Sequence, residues 1–221
     1  MGERAPEKGE EMRAADLVTA ERTAMADLME KLGPDAPTLC EGWTAADLAA
    51  HLVARDRRVD SMPGLVLGGP FARWTDKVRL GVKGRGFDSV LRMVRAGPPL
   101  WWKGPIAGVN VGEHFVHHED VRRANGETES RLLDPALEEA LWNGLRFTGR
   151  VVGRKLKGIT LELHAPHGRS RTLGSGADTV TLTGAVGELV LYFSGRKDAA
   201  HVELDGSEAA VEMVRAARLG I

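Results

Sequence analysis

The chain has 221 residues, with 30 Lys and Arg against 31 Asp and Glu and a formal net charge of -1. That length allows one or two compact domains, and the even balance of charge gives no field that would gather nucleic acid or an anionic membrane. With 43% hydrophobic and 28% charged residues the chain is globular rather than disordered, and its single cysteine, Cys40, excludes an internal disulfide framework and a multi-cysteine zinc finger.

Residues 1–11 are rich in Glu, Lys and Gly, have no apolar period, and read as a frayed tail. From Met12 to Leu32, the apolar residues Leu17, Val18, Met25, Leu28, Met29 and Leu32 keep helical spacing, which Gly33-Pro34 ends. After the loop "GPDAPTLCEGW", Thr44 stands three residues before Asp47, as in a capping box with Asp in place of Glu or Gln. A second helix is expected over 44–61, with Leu48, His51, Leu52 and Arg55 along one side. "MPGLVLGGP" reads as a turn. A third helical region spans 71–96, weakened by Gly81, Gly84 and Gly86 to the point of two pieces. "GPPLWWKGP" breaks it, with Trp101 and Trp102 read as a plug over the end of the helices or a wall of a cleft. A fourth helix covers 108–125, stopped by Asn125-Gly126. Asp134-Pro135 opens a fifth, with an N-cap and a proline at the first helical position.

The texture changes near Gly158. "ITLELHA" alternates like a strand, "PHG" turns, "RSRTLG" returns, and "DTVTLTG" has the same period of two. "AVGELVLYFSG" reads as a buried helix or strand, "AHVELDG" as a strand, and "SEAAVEMVRAARLG" as a closing amphipathic helix. Helices first and strands afterwards imply an α+β chain of two segregated units, 12–155 helical and 156–221 a small α+β domain. No apolar run approaches the ~20 residues of a membrane span. The charged start "MGERAPEKGEEMRAAD" lacks the apolar stretch of a secretory signal, so a soluble, cytoplasmic protein is expected.

Chemistry concentrates in "GEHFVHHED". Glu113 and His117 are four residues apart, which on a helix puts their Cβ atoms ~5–6 Å apart on one face. A carboxylate oxygen and an imidazole nitrogen both bind zinc at ~2.0–2.2 Å. His114 and His118 form a second such pair, rotated by ~100°. The neighbours Val109, Gly112, Val116 and Ala124 do not decide which pair faces inward. The run also reads as a solvated face, with Glu119, Asp120, Arg122 and Arg123 paired along the helix. His51 is either a satisfied core histidine or a ligand from a second helix. Cys40 reads as a small buried apolar residue.

Together, "LCEGWTAADLAAHLVARD" and the later Glu-x-x-x-His followed by Glu119-Asp120 and Arg122-Arg123 resemble the mycothiol-dependent maleylpyruvate isomerase family of actinobacteria. Its N-terminal domain is a DinB-like (YfiT-like) metal-binding bundle. The resemblance rests on Trp43, Asp47, Leu48, His51 and Leu52 for the first signature and on Glu113 and His117 for the second. "VTLTGAVGELVLYFSGRKDAAHVELDG" resembles that family's small sterol-carrier-like C-terminal domain. The resemblance implies an up-down-down-up four-helix bundle followed by the small α+β domain. It implies a divalent ion, zinc or nickel, on His51, Glu113 and His117, with mycothiol as a thiol cosubstrate whose thiolate attacks a small electrophile. It also implies that Arg196, otherwise a solvated charge in a turn, clamps a substrate carboxylate. No nucleic acid or membrane partner is expected; the substrate, the oligomeric state and the roles of His114 and His118 stay open. A non-catalytic, metal-dependent binding or sensor module is the alternative to an isomerase or thiol transferase.

Overall fold

The computed structural model describes residues 8–57, 70–98 and 107–219. The turn expected over 62–70 is therefore almost wholly outside the described residues, as are Trp101 and Trp102. Contacts divide the chain into two compact units, Met1–Glu127 and Thr128–Ile221.

In the first unit the helices are α1 (Lys8–Leu32), α2 (Ala45–Arg57), α3 (Pro70–Lys83), α4 (Phe87–Ala96) and α5 (Ala107–Ala124). Helix α1 begins at Lys8, earlier than the apolar period suggested, because residues such as Glu10 and Glu11 favour a helix without needing burial. The region weakened by its glycines forms two helices, as its sequence allowed. The chain breaks at Gly84–Gly86, where Gly86 holds φ at 84°, a conformation open to glycine at no steric cost. Helix α1 packs on α5, α2 packs on α3, and α4 touches α1, α2 and α3. Met25, Met29, Leu48, Leu52, Val90, Leu91 and Val121 fill the space between them.

The start of α2 is built as its sequence predicts. The Thr44 hydroxyl donates to Asp47 Oδ2 at 2.9 Å, the Thr44 N–H donates to the same oxygen at 3.3 Å, and the Asp47 N–H donates to Thr44 Oγ1 at 3.4 Å. Such a cap contributes on the order of 1 kcal/mol. The preceding loop is held down by the Ala45 N–H on the Ala36 carbonyl (2.8 Å) and the Leu39 N–H on the Asp120 carbonyl (3.1 Å). The loop carrying Cys40 is thereby tied to α5.

The second unit holds α6 (Pro135–Lys155), β1 (Ile159–Ala165), β2 (Arg169–Gly174), β3 (Asp178–Thr183), α7 (Val186–Phe193), β4 (Glu203–Gly206) and α8 (Glu208–Ala216). Its sheet has the order β2-β1-β3-β4; β1 is antiparallel to β2 and parallel to β3, and β3 is antiparallel to β4. The tight β1–β2 turn puts His167 and Gly168 at positive φ. The inward residues Ile159, Leu161, Leu163, Val180 and Leu182 are almost wholly buried, and the segment that could have been a helix or a strand is α7, buried along its whole length.

By contacts, helix α6 groups with the strands that follow it. Helix α6 packs on β2 and α7, burying Leu137, Leu141, Trp142 and Leu145. Arg171 locks it to the sheet: its guanidinium donates to the Trp142 carbonyl at 2.6 Å and lies 4.6 Å from the centre of that indole ring. A helix pattern reports which face is apolar but not which sheet or helix will cover it.

Candidate metal centre

Helix α5 is a polar helix with a buried face. His114, His117, His118, Glu119, Asp120 and Arg123 all lie inside. The ion pairs expected for a solvated surface exist, but they are interior: Arg123 Nε and Arg122 Nη1 both reach Glu119 at 2.8 Å, and Glu119 is 1% exposed. A buried carboxylate is tolerable only when so paired.

The structure settles which histidine pair faces which neighbour. His118 Nδ1 lies 3.0 Å from Glu21 Oε2 of α1. His114 is 0% exposed, and neither of its ring nitrogens has a hydrogen-bond partner among the described residues. Burial, then the charges of Arg22 and Arg55, push its pKa down to about 3, so it is a neutral core imidazole. Glu113 and His117 face α2 instead. There the rings of His51 and His117 stand edge to face with centroids 5.6 Å apart. His117 Nε2 lies 3.3 Å from Glu113 Oε1. Each of the three side chains offers a ligand atom, and all three atoms lie within 4.8 Å of one another. Thus the structure brings together His51, Glu113 and His117, the three residues nominated from sequence.

The electrostatics of the cluster suit a cation. Burial, then the charge on His117, hold the His51 pKa down to about 4, so His51 presents a neutral nitrogen lone pair. Burial alone would raise the Glu113 carboxyl, but the hydrogen bond and charge of His117, with Arg55 3.5 Å away, hold it far below the usual carboxylate range. Burial likewise works against a charge on His117. Its contacts with Asp120, Cys40 and Glu113 outweigh that and raise its pKa well above the ordinary imidazole value. The ring donates Nδ1–H to Asp120 Oδ2 at 2.9 Å and Nε2–H to Glu113. The donor set of two imidazoles and one carboxylate fits a zinc-type ion, which would take the place of the proton that His117 Nε2 shares with Glu113.

Sequence reasoning missed Asp120 and Cys40. Asp120, 0% exposed, accepts from His117 and also from the Cys40 thiol at 3.2 Å. Its signal was present as the i, i+3 spacing to His117, hidden inside an acidic-basic run. Around the rim, the Trp43 ring packs at a tilt of 53° against His51 with centroids 5.1 Å apart, and the Arg79 guanidinium lies over the Trp43 ring, 5.0 Å from its centre. Trp43 is packed against the core, as expected of an anchor beside the helix.

Arg196 lies in the second unit, half-buried in the turn after α7, and donates to the Ser194 carbonyl at 2.7 Å. It belongs to a different unit from the cluster. Among the second unit's histidines, His164 stands 3.9 Å from Glu162 on the same strand and His167 occupies the hairpin turn, so "HAPHG" is a turn and not a ligand set.

Residues 18–122 match the family model described as the mycothiol maleylpyruvate isomerase N-terminal domain. Two solved structures share the fold of nearly the whole chain: the mycothiol-dependent maleylpyruvate isomerase, at 16% identity and a TM-score of 0.60, and a histidine-to-alanine mutant of such an enzyme, at 15% and 0.61. Each comparison covers 91% of this chain and 93% of the other. No curated protein sequence matches the chain.

Proposed function

From the match of residues 18–122 to the mycothiol maleylpyruvate isomerase N-terminal domain model, we propose that the protein is a divalent-metal, mycothiol-dependent isomerase or thiol transferase acting on a small electrophile. The observation that carries the proposal is the convergence of His51 from α2 with Glu113 and His117 from α5, their ligand atoms within 4.8 Å. Two imidazoles and one carboxylate from facing helices leave one position of a tetrahedral site open, the arrangement of catalytic rather than structural zinc. Zinc or nickel suits these nitrogen and oxygen donors.

When bound, the ion would supply the Lewis acidity that makes a thiol acidic enough to react as thiolate at neutral pH. The chain's own residues supply the rest. His51, kept neutral by burial, offers a nitrogen without first losing a proton. Glu113 enters ionised, with Arg55 beside it to hold its carboxylate in place. Asp120 fixes the ring of His117 by taking its Nδ1–H, so that Nε2 is the nitrogen turned to Glu113. Arg196 is assigned to an acidic substrate, whose carboxylate a guanidinium can hold through two parallel hydrogen bonds.

The test is the absorption spectrum of the cobalt-substituted protein with and without mycothiol. A change in the visible bands on adding the thiol supports a thiol-binding centre. Bound cobalt whose spectrum ignores mycothiol would overturn this reading in favour of a metal-dependent binding module.

A further inference from the structure

His117 has two nitrogens, and the reading above uses only one side of it. On the Nδ1 side stand Cys40 Sγ at 3.9 Å and Asp120 Oδ2 at 2.9 Å, with 3.2 Å between sulfur and carboxylate oxygen. The three atoms meet the same mutual distance limit as the cluster on the Nε2 side. Thiolate, imidazole and carboxylate around a tetrahedral zinc-like ion, with bonds of ~2.3, ~2.0 and ~2.1 Å, lie about 3.3–3.6 Å apart. The observed separations bracket that range, so a few tenths of an ångström of side-chain movement would complete the set.

The parts are held for it. Cys40 sits on a loop braced by its own N–H on Thr38 Oγ1 (3.2 Å) and by the Thr38 hydroxyl on the Trp43 carbonyl (2.9 Å). The loop is stitched to α5 by the Leu39 N–H on the Asp120 carbonyl and by Asn125 Nδ2 on the Pro37 carbonyl at 3.0 Å. Asp120 and His117 come from successive turns of one helix. Cys40 is half-exposed, whereas the other two donors are buried, so an ion would enter from the loop side.

The geometry points to a second cation site on Cys40, His117 and Asp120, selective for thiophilic divalent ions such as Cd²⁺, that competes with the His51–Glu113 side for the shared imidazole. Binding breaks the Sγ–H and Nδ1–H bonds, releases two protons to solvent, and forms bonds from the ion to Sγ, Nδ1 and Oδ2, with no change of oxidation state. His117 then keeps its Nε2 proton on Glu113 and is lost as a ligand on that side. Soft thiolate donors favour such ions, so the site makes the protein sensitive to thiophilic metals.

The test is a Cd²⁺ titration of the full chain, followed by sulfur-to-cadmium ultraviolet absorption. Cys40 is the only cysteine, so the band reports one sulfur. The wild type should give a band saturating at one equivalent. Cys40→Ser should lose it, and His117→Ala or Asp120→Asn should weaken Cd²⁺ by about tenfold or more, the scale expected when a ligand or its support is removed. His51→Ala and Glu113→Gln, each removing only the other side, should keep the band at nearly wild-type affinity; either one suffices if the other does not fold. The proposal is overturned by absence of the band in the wild type, by a band indifferent to both His117→Ala and Asp120→Asn, or by a band that vanishes with His51→Ala and Glu113→Gln. None of these outcomes depends on the response to mycothiol.

Discussion

Asp120 Oδ2 and His117 Nδ1 lie 2.9 Å apart within one helix, and Nε2 of the same ring lies 3.3 Å from Glu113. A carboxylate behind a ligand histidine fixes which nitrogen faces the ion and raises that nitrogen's basicity. Asp120→Asn keeps the shape of the side chain and removes its charge. It should weaken Ni²⁺ or Zn²⁺ by about tenfold, measured against a competing chelator, while far-ultraviolet circular dichroism stays unchanged. Undiminished affinity would show that Asp120 does not support His117.

His51→Ala removes one of three proposed ligands and should leave a two-ligand site that no longer retains Ni²⁺ through gel filtration. Nickel is the useful probe because it favours imidazole over thiolate. His114→Met is the matched control one residue from Glu113, on a different face of α5. It should leave nickel content unchanged. It should also raise the urea midpoint, because it replaces a buried imidazole without partners among the described residues by an apolar side chain of similar size. Nickel retained by His51→Ala, or lost from His114→Met, would assign the wrong face to the ion.

What the sequence made legible was what depends on neighbours along the chain. The Thr44–Asp47 cap, the Asp134 side chain accepting the Ala136 N–H at 2.8 Å, the glycine break after Lys83 and the Glu113–His117 spacing are all local. What was not legible depends on packing. Nothing in "HHEDVRR" tells whether Glu119 and Arg123 pair in water or in the core, because the i, i+4 spacing is the same in both. The partner of α6 is a sheet formed later in the chain. Cys40 stands 80 residues from Asp120, and only the return of a loop onto α5 brings thiol and carboxylate together.

Arg196→Ala should keep the metal content and the fold while lowering activity toward an acidic substrate. Its guanidinium donates to the carbonyl of Ser194 two residues away, in the turn after α7. The kinetic signature distinguishes a clamp from a structural residue: KM for the acidic substrate should rise, and turnover of an uncharged electrophile should be unaffected. Equal loss with both substrates would dismiss the clamp.

Asp47 joins α2 to α3. It pairs with Arg79 and, at 2.7 Å, with Lys83, and its side chain is 11% exposed. Burial raises its pKa, but the hydrogen bonds from Lys83 and Thr44 prevail and bring it down to about 2 from an ordinary value of 3.8. The folded value lies below the unfolded one. The contribution is therefore complete above pH ~4, shrinks as protons bind the unfolded chain first, and is gone once pH falls through about 2. Its size is on the order of 2 kcal/mol, at about 1.4 kcal/mol per pH unit of separation. In Asp47→Asn the charge is absent at every pH, so urea midpoints of wild type and variant should differ most at pH 5 and converge toward pH 2. Neither cation is stranded by the change, since Arg79 also reaches Asp76 at 3.2 Å and Lys83 is 38% exposed. Parallel curves from pH 5 to pH 2 would mean that the Asp47 carboxylate does not carry the junction.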